Sequence, residues 1–287
     1  MEIGLGLPIS DPARLPEWAR LAEEHRFATL AMLDRLAYDN PEPLTALAVL
    51  AGATSRIRLQ TEVLLGPLRS TALLAKQVAT LDRMSAGRFV LGIGIGGRED
   101  DHAAAGVPIT RRGRLLDAQL ADLRKIWSGE PYRDAHSAGD APRAGVGPKP
   151  ITAGGPPVLI GGFAPEALRR IARFADGFIC AAPLAWAGGL VRTVNEQWDE
   201  AGRSGRPRLV CQVNVAVGSP ATIERGRRAI AEYYAFTGRP GWGSPMTDPV
   251  QIAETVAAYR EFGADELIMY CYADDPHQVE LLAEIVH

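Results

Sequence analysis

One short run of the sequence is rich enough in glycine to bind an anion or a flat ring. It follows an apolar stretch and contains, in order, Gly94, Ile95, Gly96, Gly97 and Arg98. Glycine leaves backbone N–H groups open to close approach by a phosphate or a ring. The run does not match a dinucleotide fingerprint, because its third glycine comes one residue early and a charged run follows. The alternative is that these glycines only fit a crowded part of the fold.

A second glycine pair could form another anion site. Gly161 and Gly162 end an apolar run, Phe163 and Ala164 follow, and a helix is predicted to begin at Pro165. Free N–H groups at a helix N-terminus favour a phosphate. A tight strand-to-helix turn is the simpler interpretation. Two such sites in one chain favour a phosphate-bearing cofactor.

Three charged residues also lie within or directly after predicted strands. Asp34 and Arg35 could contact a cofactor ring or a substrate anion, or form an ion pair that holds their loop. Glu62 lies within the third apolar run, and a carboxylate there needs a partner. Arg69 or Arg98 could supply it.

Metal, nucleophile and disulfide chemistry lack the necessary patterns. We interpret His102 as a surface residue, and Glu99, Asp100 and Asp101 as a solvated helix start rather than a metal site. The other histidines are His25, His136, His277 and His287. The cysteines, Cys180, Cys211 and Cys271, are expected to be small core residues. Difficult chemistry would therefore come from an organic cofactor.

The composition excludes several kinds of partner. The 31 basic residues are outnumbered by 34 acidic ones, so the chain lacks the basic excess of a nucleic-acid binder. It has no apolar run long enough to cross a membrane, and its N-terminus does not resemble a signal peptide. We expect a cytoplasmic protein that acts on a small molecule.

Apolar runs alternate with segments of helical period along the chain, which predicts a parallel sheet with crossover helices. The eight strand candidates are residues 3–7, 29–33, 57–64, 88–93, 158–160, 177–180, 209–217 and 266–271. This predicts an α/β fold, a single (β/α)8 TIM barrel over residues 1–287 with loop excursions at 129–157 and 238–246. Function would then lie in the loops after the strands: Pro8 and Ile9, Asp34 and Arg35, 62–66, 94–101, 161–164, Ala181 and Ala182, Gly218, and 270–272.

Five segments closely resemble motifs of the bacterial luciferase-like flavin-dependent oxidoreductases. They are residues 74–94 (LAKQVATLDRMSAGRFVLGIG), 111–117 (RRGRLLD), 126–130 (IWSGE), 156–162 (PPVLIGG) and 175–177 (ADG). The resemblance extends from residue 1 to about residue 179 and then rests on the order of elements. It implies a TIM barrel, a homodimer, and FMN or coenzyme F420 as cofactor.

The resemblance also assigns roles to single residues. Relatives that use the deazaflavin carry an Asp-His pair after strand two, where this chain has Asp34 and Arg35. Arginine stays protonated and cannot replace histidine as an acid, but it could orient an anion or stabilise a developing oxyanion or peroxide. Ile95 stands where some relatives have a polar phosphate contact, so backbone groups would hold the phosphate. The segment 62–64 corresponds to a bulge that in many members contains a non-prolyl cis peptide bond.

The sequence thus predicts an oxidoreductase that transfers a hydride with F420, and Arg35 and Asp34 are the candidate catalytic residues. Alternatives are an FMN monooxygenase acting through a flavin peroxide, or a barrel that binds flavin or another protein without catalysis. Predicted substrate contacts are Trp242, Tyr270 and Tyr272. Predicted cofactor contacts are Asp34, Val63, Leu64, Gly94, Ile95, Gly96, Gly97, Arg98, Gly161, Gly162, Phe163 and Ala164.

Overall fold

The strands of this chain close into one parallel barrel. A computed structural model describes residues 1–8, 11–133, 144–238 and 243–287. Its strands are β1 (Glu2–Gly6), β2 (Thr29–Met32), β3 (Arg58–Thr61), β4 (Leu64–Leu65), β5 (Phe89–Gly94), β6 (Val158–Gly161), β7 (Gly177–Cys180), β8 (Arg208–Val215) and β9 (Glu266–Cys271). β9 pairs with both β1 and β8, and both β3 and β4 pair with β5. β3 and β4 therefore share one position, and the eight-stranded barrel predicted from the sequence is confirmed.

The third barrel strand is not the continuous run 57–64 that the sequence predicted. It is interrupted at Glu62 and Val63, where the peptide bond is cis. The cis bond at this bulge was expected from the family resemblance. The interruption lies between Thr61 and Leu64. The side chains of Glu62 and Val63 therefore take positions that a regular strand would not provide.

Helices form the outer layer. They are α1 (Leu15–Glu24), α2 (Pro43–Ala53), α3 (Thr71–Met84), α4 (Glu99–Ala104), α5 (Arg112–Ser128), α6 (Pro165–Phe174), α7 (Leu184–Glu200), α8 (Pro220–Tyr234), α9 (Pro249–Phe262) and α10 (His277–Val286). Ser219 and Asp248 cap α8 and α9 by accepting the N–H of Thr222 and of Val250. Within the described ranges, no helix is long and apolar enough to span a bilayer.

Alternate side chains of each strand face either the helices or the barrel interior. In β9, Leu267 and Met269 belong to the large core between sheet and helices, whereas Ile268 and Tyr270 belong to a separate interior cluster. A Cβ atom on Gly6 would overlap the Tyr270 ring, so glycine at this position makes room for an interior tyrosine. The three cysteines are buried, as predicted.

The N-terminal end of the barrel, which we call the floor, is closed by a network of two carboxylates and two guanidinium groups. Glu266 is fully buried and accepts from Arg58 Nη2 at 3.2 Å and from Arg208 Nη2 at 3.0 Å. Glu2 accepts from the same two arginines at 2.6 Å. Each charge of this network therefore has an opposite charge in direct contact.

Candidate functional site

Three predicted cofactor residues form one surface at the mouth, by which we mean the C-terminal strand ends and the loops after them. Val63 lies between the ends of β5 and β6. A Cβ atom on Gly94 would be 2.8 Å from Val63 Cγ2, and one on Gly161 would be 3.1 Å from Val63 Cγ1. Both strand ends must be glycine for Val63 to lie this close. The result is a smooth apolar patch bordered by exposed backbone.

The two glycine loops beside this patch present unpaired backbone donors. In the described part of the chain, the amides of Gly96, Gly97, Gly162 and Phe163 donate to no protein acceptor. A Cβ atom on Gly97 would have no atom within 4 Å, so the space beside it is open. Free amides on two adjacent loops, next to open space, fit a phosphate or a flat polar ring.

Asp34 supports this surface from behind. Its Oδ2 accepts from Leu65 N at 2.7 Å and from Arg69 Nη1 at 2.7 Å, and its Oδ1 accepts from Arg69 Nη2 at 3.2 Å. Burial raises the pKa of Asp34, and the Arg69 guanidinium opposes that rise. Both carboxylate oxygens are occupied by the protein, so Asp34 fixes the β4 turn that carries Leu64. The internal ion pair between Asp34 and Arg35 that the sequence left open is not formed, since Asp34 pairs with Arg69 and Arg35 with residues of α4.

Arg35 is buried and held by two acidic residues of α4. Its Nε donates to Asp101 Oδ2 at 2.6 Å and its Nη2 to Asp100 Oδ2 at 2.9 Å. Its buried Nη1 has no hydrogen-bond partner among the described residues. The guanidinium also lies 5.3 Å from the ring centre of Tyr38. One donor of a fixed cation is therefore unused at the mouth.

The prediction of a solvated acidic helix start was wrong for Asp101. This carboxylate is 1% exposed and also accepts the amides of Leu36 and Ala37 at 2.8 and 2.7 Å. Burial acts to raise its pKa, but the Ala37 amide, Arg35 and the Leu36 amide together hold the pKa of Asp101 below its ordinary value. Asp101 thus ties the loop after β2 to the loop after β5.

His102 is not the surface residue that the sequence indicated. It is 1% exposed, and its Nε2 lies 3.1 Å from the carbonyl oxygen of Ile95. A Cβ atom on Gly96 would be 3.2 Å from this nitrogen, and Gly96 has a positive φ of 71°. His102 therefore supports the glycine loop, which it contacts through the Nε2 edge of its ring. Its Nδ1 is buried without a partner within the described residues.

Glu62 faces the barrel interior beneath the Val63 patch. Its Oε2 accepts from Gln60 Nε2 at 3.1 Å, so the prediction of Arg69 or Arg98 as partner was wrong. Its Oε1 and the hydroxyl of Tyr270 are both buried and have no partner in the ranges that the structure covers. Burial raises the pKa of Glu62 well above its ordinary value. Burial therefore favours the protonated form of Glu62.

A group of tyrosines lies around the mouth, and the sequence identified only part of it. Tyr270 and Tyr272 are buried, with ring centres 6.2 Å apart. Tyr233 joins them from the end of α8 and contacts Tyr272, Tyr38 and Tyr234 at centroid distances of 5.6, 5.8 and 5.0 Å. The adjacent aromatic pair at positions 233 and 234 was the available sequence signal. The predicted Trp242 lies outside the described residues, as do Ile9 and His136.

Arg98 and Phe163 point away from the amides. The Arg98 guanidinium lies 4.5 Å from the ring centre of Tyr233 and 3.7 Å from that of Phe236. These contacts hold it against the end of α8. Phe163 is exposed. Of the predicted phosphate-binding groups, the backbone amides are therefore the best placed.

A pocket of about 390 Å³ lies at the ends of β7 and β8. Its polar side chains include Gln212, Asn214, Ser244 and Thr255, and Asn214 Nδ2 donates to the Gly243 carbonyl at 2.7 Å. Tyr234 forms part of its wall. No charged side chain of the described residues lines it. A small, mostly apolar molecule fits such a pocket.

The described residues contain no group of three or more His, Cys, Asp or Glu side chains placed to hold a metal ion. The family model described as luciferase-like monooxygenase matches residues 3–245. The chain belongs to this family. A protein of Mycobacterium tuberculosis (strain H37Rv), whose name states no activity, is 33% identical over 239 residues, which are 73% of this chain and 83% of that protein.

Other similar proteins have names that state an activity. The F420-dependent glucose-6-phosphate dehydrogenase of Nakamurella multipartita is 27% identical over 253 residues, 84% of this chain and 74% of that one. An F420-dependent secondary alcohol dehydrogenase shares the fold with a TM-score of 0.84 at 16% identity, over 99% and 98% of the chains. The FMN-bound oxygenating constituent of 3,6-diketocamphane monooxygenase of Pseudomonas putida has a TM-score of 0.73 at 19% identity, over 99% and 95%. The named proteins that resemble this chain thus include F420-dependent enzymes and an enzyme solved with FMN.

Proposed function

We propose that this protein is an oxidoreductase that binds reduced coenzyme F420 at the mouth and passes a hydride to a small organic substrate. The observation that carries the proposal is the Val63 patch with its unpaired amides at Gly96, Gly97, Gly162 and Phe163. Its shape suits a flat ring, and its donors suit a phosphate. The choice of F420 over FMN is supported by the named dehydrogenase that matches 84% of this chain.

The chain's own residues bind and orient in this proposal. Val63 supports one ring face, and the amides of the two glycine loops hold the phosphate. Asp34 and Asp101 keep these loops in place through Leu65 and Arg35. When bound, the reduced deazaflavin supplies the hydride, which no side chain of a protein can do.

Three groups could act on a proton or a charge near the ring. Burial favours the protonated form of the Glu62 carboxyl beneath Val63, and the Tyr270 hydroxyl is buried without a partner among the described residues. The unused Nη1 of Arg35 offers a positive donor to an oxygen that becomes negative during reduction. Because the nearby 390 Å³ pocket has no charged side chain in its described wall, we propose an uncharged substrate.

Cofactor titration of the purified protein tests this proposal. Oxidised F420 and FMN are added separately, and binding is measured from the change in cofactor fluorescence. We expect saturable F420 binding that is at least about tenfold tighter than FMN binding, equivalent to about 1.4 kcal/mol. Tighter binding of FMN, with rapid oxygen consumption after reduction, would identify a monooxygenase instead. Binding of neither cofactor to the folded protein would reject both assignments. The homodimer and the cytoplasmic location stay predictions.

A further inference from the structure

The last turn of α8 is attached to the mouth differently from the rest of that helix. Earlier in α8, Gly226 packs so closely that a Cβ atom on it would be 2.9 Å from Ala216 Cβ, and Ile230 is buried. The last turn instead makes aromatic contacts with the loops of the mouth. We use the name α8 end for its three aromatic residues, Tyr233, Tyr234 and Phe236.

Arg98 joins the α8 end to the glycine loop after β5. Its guanidinium lies 4.5 Å from the ring centre of Tyr233 and 3.7 Å from that of Phe236, which is otherwise exposed. A cation over an aromatic ring is attracted by the electrons of the ring face. Arg98 forms no ion pair with any described residue. Its charge is therefore held by the two rings of the α8 end.

The α8 end also forms part of the wall of the 390 Å³ pocket. The rings of Tyr233 and Tyr234 meet edge to face, with their centres 5.0 Å apart. Tyr234 lines the pocket, and a Cβ atom on Gly243 would be 2.7 Å from its ring. The Gly243 carbonyl in turn accepts from Asn214 Nδ2. A chain of contacts therefore runs from Arg98 through the α8 end to the polar side of the pocket.

The backbone just before Arg98 has few hydrogen bonds of its own. The amides of Gly96 and Gly97 donate to no acceptor in the described part of the chain, and the space beside Gly97 is open. Glycine also has more backbone freedom than other residues. A phosphate or ring that accepts from these amides would restrict the loop. It would thereby restrict Arg98, which is the next residue along the chain.

We propose that Arg98 is a positioning residue that couples the cofactor site to the substrate pocket. A cofactor held at Gly96 and Gly97 fixes Arg98, and Arg98 fixes the α8 end, so the pocket takes its final shape after the cofactor has bound. The inference rests on the proposed function and adds an order of binding to it. Each contact between a guanidinium and a ring contributes about twofold to fivefold to an equilibrium. The coupling through two rings is therefore up to about tenfold.

Hydrogen–deuterium exchange of the whole protein, followed by mass spectrometry, tests the coupling without a substrate. Exchange in residues 94–98 and 231–237 is compared with and without saturating oxidised F420. In the wild type, we expect F420 to slow exchange in both segments, by about threefold to tenfold in residues 231–237. Arg98→Ala should keep the slowing in residues 94–98 and lose most of it in residues 231–237. Because coupling is reciprocal, this variant should bind F420 more weakly by no more than about tenfold.

Two further variants separate the contact from a general loss of structure. Arg98→Lys keeps the positive charge and should keep part of the effect. Phe236→Ala removes one of the two rings from an exposed position, so it should fold normally and also lose part of the effect.

The matched control is Arg203→Ala, after the end of α7 that lies away from the mouth. The Arg203 guanidinium lies 3.9 Å from the ring of Trp198 and donates to the carbonyls of Ala172 and Ala175. Its loss removes a similar ring contact and two hydrogen bonds besides, yet should leave the response of residues 231–237 to F420 at the wild-type level.

Three results would overturn the coupling and leave the proposed function intact, provided that F420 slows exchange in residues 94–98. They are no response of residues 231–237 in the wild type, an equal response in Arg98→Ala, and an equal loss of the response in Arg203→Ala. Failure of F420 to bind the folded wild type would reject the proposed function and the coupling with it.

Discussion

The two ends of the barrel differ in how their buried charged and polar groups are paired. At the floor, Glu266 is buried between Arg58 and Arg208, and Glu2 completes the network. At the mouth, several buried atoms have no partner within the described residues, among them Glu62 Oε1, Tyr270 Oη, Arg35 Nη1 and His102 Nδ1. An unpaired buried polar group costs about 1–3 kcal/mol.

The difference indicates where the barrel is built for stability and where it is built to meet a ligand. A network in which every charge is paired gains no stability from a further partner. A mouth with unused donors and acceptors can be completed by a bound molecule or by water. This matches the general division of TIM barrels into a stabilising N-terminal face and a functional C-terminal face.

The largest effect is expected at the floor. Glu266→Ala would leave Arg58 and Arg208 without their buried carboxylate, and we expect the free energy of unfolding to fall by about 3 kcal/mol. Urea denaturation measures this loss. The control Glu17→Ala breaks only the exposed pair with Arg14 and should change stability far less. Equal losses in the two variants would contradict the description of the floor.

At the mouth, Arg35→Ala should cost about 2 kcal/mol, because buried Asp101 would lose its guanidinium and keep two amide donors. Urea denaturation measures the stability. We also expect the variant to bind F420 more weakly, since Asp101 ties two mouth loops together. If both stability and affinity stay at wild-type values, Arg35 has neither the structural role nor the functional role described for it.

Glu62→Gln should change stability little at pH 4.5 and should alter the dependence of stability on pH. Because burial raises the pKa of Glu62 above its ordinary 4.5, the folded chain keeps this proton where the unfolded chain loses it. The stability contributed by Glu62 is complete below about pH 4.5 and is lost as the pH rises toward the folded-state pKa. The variant should therefore gain stability relative to the wild type above pH 4.5, by up to about 1.4 kcal/mol per pH unit. Parallel stability profiles of the two proteins between pH 4.5 and 8 would show that Glu62 is ionised.

The sequence predicted the features that depend on residue type and element order. The barrel was predicted from eight apolar runs that alternate with helical segments. The glycines at the strand ends were identified by residue type alone, and the structure shows that no other residue fits beside Val63. Partners distant in the chain could not be predicted: Asp101 is 66 positions from Arg35, and its type alone favoured a solvated position. His102 was misjudged for the same reason, since the packing of the short helix α4 decides its burial.

The central claim is that the glycine loop after β5 contacts the cofactor, and Gly97→Leu tests it most directly. A Cβ atom on Gly97 would have no atom within 4 Å. The same holds for Gly52, an exposed position of α2, so Gly52→Leu is the matched control. Both variants should stay within about 1 kcal/mol of wild-type stability. Fluorescence titration with oxidised F420 should show affinity reduced at least about tenfold in Gly97→Leu and unchanged in Gly52→Leu. Wild-type affinity in Gly97→Leu would contradict the placement of the cofactor at this loop.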